Sequence, residues 1–434
     1  MAMVHIWSNI PTEIGLQIAY HNADDLQTLL AMSLSSRAMR NVSIEPLFST
    51  LHFSSQEDFG RWLAMLRHRP SLVSAARRVK LSLSLQEAPS SDIPSMINVV
   101  EVEWSANRPW DSKIAGSYMA QLFPRATRLS LMHQQFRHLA EISYLVRSCS
   151  LPLVSLTIRN TSVSEDANAR PPNELGAAGV PVDLAALAEL TLHSNAANFD
   201  SNGQNSLGRL LSMHPPQLRT LKLYATNMFQ PCAMMTMILL LRTSASTLTH
   251  LDIDPNRHPR QNPLFNVAIM AIPQLSVLLE LTIHLTPLNT VPSSDIISSR
   301  GQSESFFLSL GPMPSLATLH FVIRIPSGQR PPEMDYNALN DVFSFRPLAL
   351  REDTLKARFR ALEHVEWVFC VHASVLRGNG SVERQRVKLK MGYKTNMERR
   401  LRARLLQLST PEEVVGRGSI AWRDSENRAI LWED

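Results

Sequence analysis

Cysteine and glycine are both scarce in this sequence of 434 residues. Its three cysteines, Cys149, Cys232 and Cys370, are odd in number and far apart, which excludes a disulfide framework and favours a reducing compartment, cytoplasmic or nuclear. The 15 glycines are about half the usual share of roughly 7%. No glycine-rich phosphate loop, G-x-S-x-G turn or HExxH motif occurs, so we expect no enzyme activity, cofactor or metal site.

Long apolar runs are also missing from the chain. The longest, residues 232–241, is interrupted by Thr236 and is shorter than the about 20 residues needed to span a bilayer. The first residues show no basic region followed by an apolar one, so we expect neither a signal peptide nor a membrane partner. With 44% hydrophobic and 19% charged residues, the composition is that of an ordinary globular protein.

Charge is unevenly placed along the chain. The net charge is +5, yet residues 1–58 carry two basic and six acidic residues. Residues 384–404, the basic segment, carry nine basic residues and one acidic residue, a local net charge of +8. Because nucleic-acid-binding proteins usually spread such charge over a domain face, we do not expect nucleic acid as a partner. We interpret this segment as a solvated helix face, with an acidic partner or nuclear import as the alternatives.

One pattern, apolar-x-x-apolar-x-apolar, recurs through the middle of the chain. Copies begin at Ile97, Leu153, Leu187, Leu218, Leu248, Leu278, Leu316 and Leu362. The central copies are 30 or 31 residues apart, and the outer intervals stretch to 38 and 46 residues. The motif resembles the strand half of leucine-rich repeats. The asparagine that follows the strand in those repeats is present at Asn195 and Asn256 and is replaced elsewhere, for example by Thr161.

The second half of several repeats has a helical pattern. These stretches are residues 137–149, 205–213, 231–244, 263–272 and 303–310. A strand followed by a helix predicts a parallel sheet, which either a closed barrel or an open solenoid would contain. The strands alternate apolar and polar residues, so one face of the sheet meets water, which a barrel strand does not. We therefore predict an α/β fold with an open leucine-rich-repeat-like solenoid, its parallel sheet on the concave face and its helices on the convex face.

The first fifty residues carry a different pattern, that of three short amphipathic helices. The apolar stripes hold Ile14 and Ile18 in the first helix and Leu26, Leu29 and Leu30 in the second. The third helix is expected to end before Pro46. So small a bundle cannot bury all of these apolar side chains, which predicts a permanent protein partner. The alternative is that they pack only against the first repeat of the same chain.

Specific residues of this segment carry a resemblance to a known family. They are Ile10, Pro11, Glu13, Ile14, Ile18, Asp25, Leu26, Leu29, residues 34–37, Arg40 and residues 46–48. Through them, residues 9–53 resemble an F-box, and the chain as a whole is similar to fungal F-box proteins with leucine-rich repeats. The resemblance implies docking on a Skp1-like adaptor, and through it on a cullin, so that the repeats hold an unknown protein substrate for ubiquitin transfer. The Skp1-facing residues that it implies are Ile10, Pro11, Ile14, Ile18, Leu26, Leu29 and Leu30.

Four regions follow from these patterns. We expect an F-box-like helical domain at residues 1–52, a connecting helix at 53–76, the repeat domain at 77–375, and a basic helix with a C-terminal cap at 376–434. Within the last region, the pattern suggests a helix over residues 396–408 and a hairpin formed by residues 419–422 and 429–432.

Polar positions of the predicted strands would face the groove of the solenoid. As substrate-binding candidates they give Glu189, His193, Lys222, Tyr224, His250, Asp252, Asp254, Glu280 and His284. The acidic part of this set would accept a basic peptide, and the alternative is a solvated sheet face without a ligand. The alternative function is a non-catalytic repeat scaffold whose basic segment binds an acidic partner.

Overall fold

The structure is a computed structural model of the chain. It describes residues 11–22, 25–69, 73–83, 85, 87–105, 111–136, 139–159, 161–163, 184–194, 216–225, 238–254, 275–285, 313–325, 359–371, 388–390, 395, 419–424 and 431–433. The chain forms two compact units, residues 1–187 with 195–214, and residues 188–194 with 215–434. The helices predicted at 205–213, 263–272, 303–310 and 396–408 lie outside the described residues.

The first unit begins with three helices, α1 (Thr12–His21), α2 (Leu26–Ser35) and α3 (Arg37–Ser49). Asp25 caps α2, because its carboxylate accepts a hydrogen bond from the amide of Thr28 at 3.0 Å. The same bond holds the pKa of Asp25 below its ordinary value. The short polar cap therefore sets where α2 begins.

The third helix does not end before Pro46, as the sequence pattern predicted. It continues through this proline to Ser49. A proline inside a helix lacks an N–H and crowds the preceding turn, which normally interrupts the helix. Here Pro46 is buried and Leu47 packs against the core of the three helices. We attribute the extra turn to this burial, which offsets the loss of one backbone hydrogen bond.

A small apolar core holds the three helices together. Its buried residues are Ala19, Leu29, Met32, Met39 and Val42, with Leu16, Ile18 and Leu47 packed against them. Gly15 of α1 lets α1 and α3 approach closely, because a Cβ there would lie 3.4 Å from the side chains of Met39 and Val42. The bundle therefore does bury part of its apolar surface within itself.

No loop separates α3 from the first strand, since β1 (Thr50–Phe53) begins at the next residue. Helix α4 (Gln56–His68) follows. The Trp62 ring of α4 lies 5.6 Å from the Phe48 ring of α3 and 6.1 Å from the Phe53 ring of β1, measured between ring centroids. These contacts fix the orientation of the helical bundle relative to the first strand.

A parallel sheet occupies the rest of the first unit. Its other elements are β2 (Arg78–Leu81), β3 (Glu101–Ser105), α5 (Ser112–Gln121), β4 (Arg128–Met132), β5 (Gln135–Phe136), α6 (Leu139–Ser148), β6 (Ser155–Arg159) and β7 (Ser162–Val163). The described strands pair in the order β1, β2, β3, β4, β6, and β5 pairs with β7. Because β1 belongs to this sheet, the boundary predicted between residues 52 and 53 falls inside a strand. The connecting segment predicted at 53–76 contains α4.

Two buried polar side chains tie neighbouring repeats of this sheet together. Gln134, which follows β4, donates from Nε2 to backbone carbonyls 2 and 30 residues earlier in the chain, at 3.0 and 3.2 Å. Thr161, which follows β6, makes the equivalent pair of bonds at 3.2 and 3.4 Å. Each side chain thus bonds once within its own repeat and once to the repeat before it. The bonds satisfy carbonyl groups near the strand ends.

The second unit contains a second set of parallel strands. They are β8 (Glu189–Ser194), β9 (Thr220–Ala225), β10 (His250–Asp254), β11 (Glu280–Leu285), β12 (Thr318–Ile325), β13 (His364–Val371), β14 (Lys388–Lys390), β15 (Ser419–Asp424) and β16 (Leu431–Glu433). Strands β8 to β13 pair in chain order, β15 pairs with β13, and β14 pairs with β16. The hairpin predicted for the C-terminal region is wrong, because both of its expected strands pair in parallel with other partners.

The register of the second unit follows the sequence repeat. Leu221 lies opposite Leu190 on one side and opposite Leu251 on the other, and Leu281 lies opposite Leu251 and Leu319. All five leucines are buried. Equivalent positions of the repeats are therefore aligned across the strands, so their polar positions share the opposite face.

The prediction of a parallel, open sheet is confirmed. All described strand pairs are parallel, and among the described strands of each unit no pairing joins the last to the first, as a closed barrel would require. Strands such as β6 alternate buried residues with partly or fully exposed ones, as the pattern predicted. The copy assigned to Ile97 is wrong in its apolar positions, since Ile97 is 50% exposed and Val100 is 44% exposed. Of the helices within the described ranges, none is both long and apolar enough to cross a membrane.

Candidate functional site

The residues predicted to dock on an adaptor differ widely in exposure. Ile14 of α1 is 48% exposed and Leu30 of α2 is 46% exposed. Pro11 is exposed at the start of α1. Ile18 is only partly exposed, because it packs against the core of the three helices. Ile10 lies outside the described residues.

Leu29 is a correction to the predicted docking set. Its side chain is 1% exposed and packs in the core with Met32, three residues later on the same helix face. Leu30 is the next residue, about 100° further round the helix, and so points away from that core. A partner cannot contact Leu29 unless the helices separate. The side chain of Leu26 lies outside the described part of the structure.

Leu34 is an exposed residue that the sequence reasoning did not select. It lies one helical turn after Leu30 and is 78% exposed. The spacing of four residues would have identified it, since residues i and i+4 share a helix face. Ile14, Leu30 and Leu34 are called the exposed apolar set below. Among the large apolar side chains in the described parts of the three helices, these three and Tyr20 are exposed to water.

Tyr20 of α1 belongs to a polar link between the helices and the sheet. Partial burial, and after it a hydrogen bond to the Glu45 carboxylate of α3, raise the pKa of Tyr20 above its ordinary value. The Glu45 carboxylate also lies 3.5 Å from the guanidinium of Arg77, the residue before β2. These three residues connect α1, α3 and the entry to the second strand.

Three of the predicted substrate-binding residues meet on the sheet of the second unit. The hydroxyl of Tyr224 donates to Oδ2 of Asp252 at 2.5 Å, and Nε2 of His284 lies 2.8 Å from Oδ1 of the same carboxylate. The two rings meet edge to face, with centroids 5.2 Å apart and planes at 81°. His284 is 8% exposed, and its Nδ1 is buried without a hydrogen-bond partner. Because a carboxylate only accepts, Nε2 of His284 carries a proton here.

A second chain of contacts crosses β10 to β13 on the same face. His250 Nε2 lies 3.5 Å from Oε2 of Glu280, whose Oε1 lies 3.3 Å from Nε2 of His320. Nδ1 of His320 then lies 2.8 Å from Oε2 of Glu366. We call these four residues the cross-strand chain. Imidazole and carboxylate groups alternate along it from strand to strand.

The remaining candidates lie on β8, β9 and β10. Lys222 is exposed on β9, opposite Asp252 in the strand register. Glu189 is partly buried at the start of β8. His193 lies in β8 and Asp254 in β10, and their side chains are outside the described part of the structure. Among the described side chains, members of the predicted set meet around Asp252 and Glu280.

His320 and Glu366 complete the cross-strand chain, and the predicted site set omitted both. Each occupies the same position in its repeat as Asp252, two residues after the first strand residue. The repeat alignment therefore carried the signal that would have found them. What the sequence did not show is the pairing itself, because His320 and Glu366 are 46 residues apart in the chain.

Both oxygens of Asp252 and both oxygens of Glu280 already have partners within the sheet. A basic peptide bound here would have to exchange these internal contacts for its own. The carboxylates expected to accept a basic peptide are thus paired within the sheet, which favours the alternative of a sheet face without a ligand at these two residues.

Within the described residues, no group of three or more His, Cys, Asp or Glu side chains is arranged to hold a metal ion. Burial raises the pKa of the Cys149 thiol to about 12, so this cysteine is not a thiolate near neutral pH. No protein-family model matches the sequence, and no curated protein sequence matches it.

Proposed function

We propose that the chain is the substrate-recognition subunit of an SCF (Skp1-cullin-F-box) ubiquitin ligase. Its N-terminal helices dock on a Skp1-like adaptor, and its repeat domain binds a protein substrate. The observation that carries the proposal is the exposed apolar set on α1 and α2, within the segment that resembles an F-box. The chain itself performs no bond chemistry in this function and contributes proximity and orientation.

Burial of the exposed apolar set against the adaptor is expected to stabilise the complex. Full burial of one such side chain contributes about 1.5–3 kcal/mol, so burying the exposed part of Ile14 or Leu30 contributes on the order of 1 kcal/mol. Leu34, with 78% of its surface exposed, contributes the most. The entropy cost of association offsets part of this sum, so further contacts from the partner are required.

The direct connection between the docking helices and the sheet supports the same function. Helix α3 continues directly into β1, and Trp62 packs on Phe48 and Phe53 at that junction. The link from Tyr20 through Glu45 to Arg77 joins the bundle to the second strand. An adaptor held by the bundle would therefore keep a fixed orientation relative to the first strands, which ubiquitin transfer at a distance requires.

The repeat domain is proposed to be a leucine-rich-repeat-like solenoid with its sheet on the concave face. The buried bonds of Gln134 and Thr161 support this identity, since each ties one repeat to the next at the position after the strand. Substrate contact is proposed for Glu189, His193, Lys222, His250 and Asp254, because Tyr224, Asp252, Glu280 and His284 already have partners within the sheet. Lys222 and His250 are the exposed members among those with described side chains.

The test is binding of purified full-length chain to a purified Skp1-like adaptor. The variant Ile14→Asp with Leu30→Asp places two charges in the exposed apolar set and leaves the core of the bundle intact. We expect co-purification to be lost while the circular dichroism spectrum is retained. Leu29→Asp does not serve this purpose, because it introduces a charge into the core and unfolds the helices.

The matched control is Asn41→Asp with Ala64→Asp. These exposed residues lie on α3 and α4, which carry no member of the exposed apolar set, so the control adds the same charge away from that set. It should bind the adaptor as the natural chain does. Adaptor binding by the Ile14 and Leu30 variant at natural strength, or no adaptor binding by the natural chain, would contradict the proposed function.

A second candidate function rests on the net charge of +8 in the basic segment, residues 384–404. In this alternative, the chain is a non-catalytic scaffold that binds an acidic partner. Replacing Arg399, Arg400, Arg402 and Arg404 by Gln should then reduce binding to a polyanion such as heparin and flatten its salt dependence. Salt-independent binding by the natural chain would remove this candidate.

A further inference from the structure

The polar face of the sheet in the first unit carries more positive than negative charge. It lies opposite the buried face, because the residues of each strand alternate between the two. Apart from His52, the charged side chains on this face of β1 to β4 and β6 are Arg78, Lys80, Arg128, Arg159, Glu101 and Glu103. Four cations thus share the face with two carboxylates.

The two carboxylates are already paired with cations of the neighbouring strand. Nη2 of Arg78 lies 2.8 Å from Oε1 of Glu101 and 2.9 Å from Oε2 of Glu103. Nζ of Lys80 lies 3.3 Å from the same Oε2 atom. These contacts join β2 to β3. The excess of positive charge therefore belongs to β4 and β6, neither of which carries a carboxylate.

Hydrogen-bond donors accompany this charge on β4 and β6. Arg128 and Arg159 are both exposed, and three hydroxyl side chains between them are partly exposed. Within the described part of the chain, neither a hydrogen bond nor an ion pair engages the side chains of Ser130, Ser155, Thr157 and Arg159. Each hydroxyl donates one hydrogen bond and a guanidinium donates several. An acceptor from another molecule would therefore find unused donors here.

The spacing of the two arginines matches an extended peptide. Arg159 lies opposite Met132 in the register, and Met132 is four residues after Arg128 on β4. At about 3.3 Å per residue, the arginines are roughly 13 Å apart along the strand direction. Side chains at positions i and i+4 of an extended peptide lie on one side of it and have the same spacing. Such a peptide, running along β4 and β6, would present one carboxylate to each arginine.

We propose that these residues, the basic face (Arg128, Ser130, Ser155, Thr157 and Arg159), bind an extended acidic peptide of a partner protein with carboxylates at positions i and i+4. Charge complementarity identifies the partner, because guanidinium and hydroxyl groups donate and a carboxylate accepts. A nucleic acid fits less well, since the carboxylates on the adjacent strand β3 would repel its closely spaced phosphates. This surface goes beyond the proposed function, because it involves neither the docking helices nor the sheet of the second unit.

The experiment measures binding of short, labelled synthetic peptides to the full-length chain by fluorescence anisotropy. One peptide carries aspartate at positions i and i+4 of an otherwise neutral sequence of glycine, serine and threonine. The other carries aspartate at i and i+3, which lie on opposite sides of an extended peptide. The first peptide should bind about threefold more tightly or better. Arg159→Gln should weaken its binding by about threefold or more and reduce the preference between the two peptides.

Arg67→Gln is the matched control for Arg159→Gln. It removes the same charge from an exposed position on α4, a helix that packs on the opposite face of the sheet through Phe59 and Phe53. This variant should bind the first peptide as tightly as the natural chain does.

Four outcomes would each overturn the proposal. They are equal weakening by the two substitutions, equal binding of the two peptides, tighter binding of a single-stranded oligonucleotide than of the first peptide, and no peptide binding up to about 1 mM. Because the assay contains no adaptor, its outcome is independent of the proposed docking on a Skp1-like protein.

Discussion

Tyr224 of β9 and His284 of β11 are held together by one acceptor, the carboxylate of Asp252 on the strand between them. Their rings also contact edge to face. The three side chains thus form a bridge across three strands on one face of the second unit. Because His284 is almost completely buried, its polar ring depends on this bridge for the hydrogen bond that it makes.

Removal of the Asp252 carboxylate should therefore destabilise the second unit. Asp252→Ala leaves the hydroxyl of Tyr224 and Nε2 of His284 without their acceptor, and we expect a loss of about 1–3 kcal/mol in the free energy of unfolding. Urea denaturation measures this loss. Lys222→Ala, at an exposed position opposite Asp252, should change stability by less than about 0.5 kcal/mol. Equal effects of the two substitutions on the free energy of unfolding would show that the bridge does not stabilise the second unit.

Gly116 of α5 gives a prediction about the packing of the first unit. A Cβ at this position would lie 2.5 Å from Oγ of Ser148 and 2.6 Å from Cε1 of Tyr144, both on α6. Gly116→Ala should therefore push the two helices apart and destabilise the chain by about 1–3 kcal/mol, which thermal or chemical denaturation measures.

Gly60 of α4 provides the matched control for that substitution. It is exposed within a helix, and a Cβ there would meet nothing within 4 Å. Gly60→Ala should stabilise the protein by about 0.5–1 kcal/mol, because alanine favours the helix. If both alanine variants are more stable than the natural chain, the close approach of α5 and α6 is refuted.

Cys149 provides a pH-dependent prediction. Burial raises the pKa of its thiol from 9.0 to about 12, so the folded chain holds the neutral thiol. Alkylation of Cys149 at about pH 8, followed by mass spectrometry, should be about 100-fold or more slower in the folded chain than in urea. The stability that comes from the neutral thiol is complete below about pH 9 and is lost as the pH rises toward about 12. Equal alkylation rates in the folded and unfolded chains would contradict this assignment.

For the candidate sites, the sequence predicted which residues share a face of the sheet, but it did not predict which side chains contact one another. The repeat placed Asp252 and Glu280 on one face, and the structure agrees because side chains of a strand alternate between two faces. It did not show that Asp252 is occupied by Tyr224 and His284, or that Glu280 is shared by His250 and His320. Such pairing depends on rotamers and strand register, which a motif does not specify.

The amino-acid pattern was sufficient to place most strands and to predict that they are parallel and open. This succeeded because a period of two residues within each strand and a spacing near 30 residues between strands are local features of the chain. Long-range packing determined the features that the pattern did not predict. Burial keeps Pro46 inside α3 and turns Leu29 inward while its neighbour Leu30 faces water. Strand β15 pairs with β13, although a long stretch of chain separates the two strands. Which strands pair depends on how the whole sheet assembles, and the sequence of a single strand does not specify its partner.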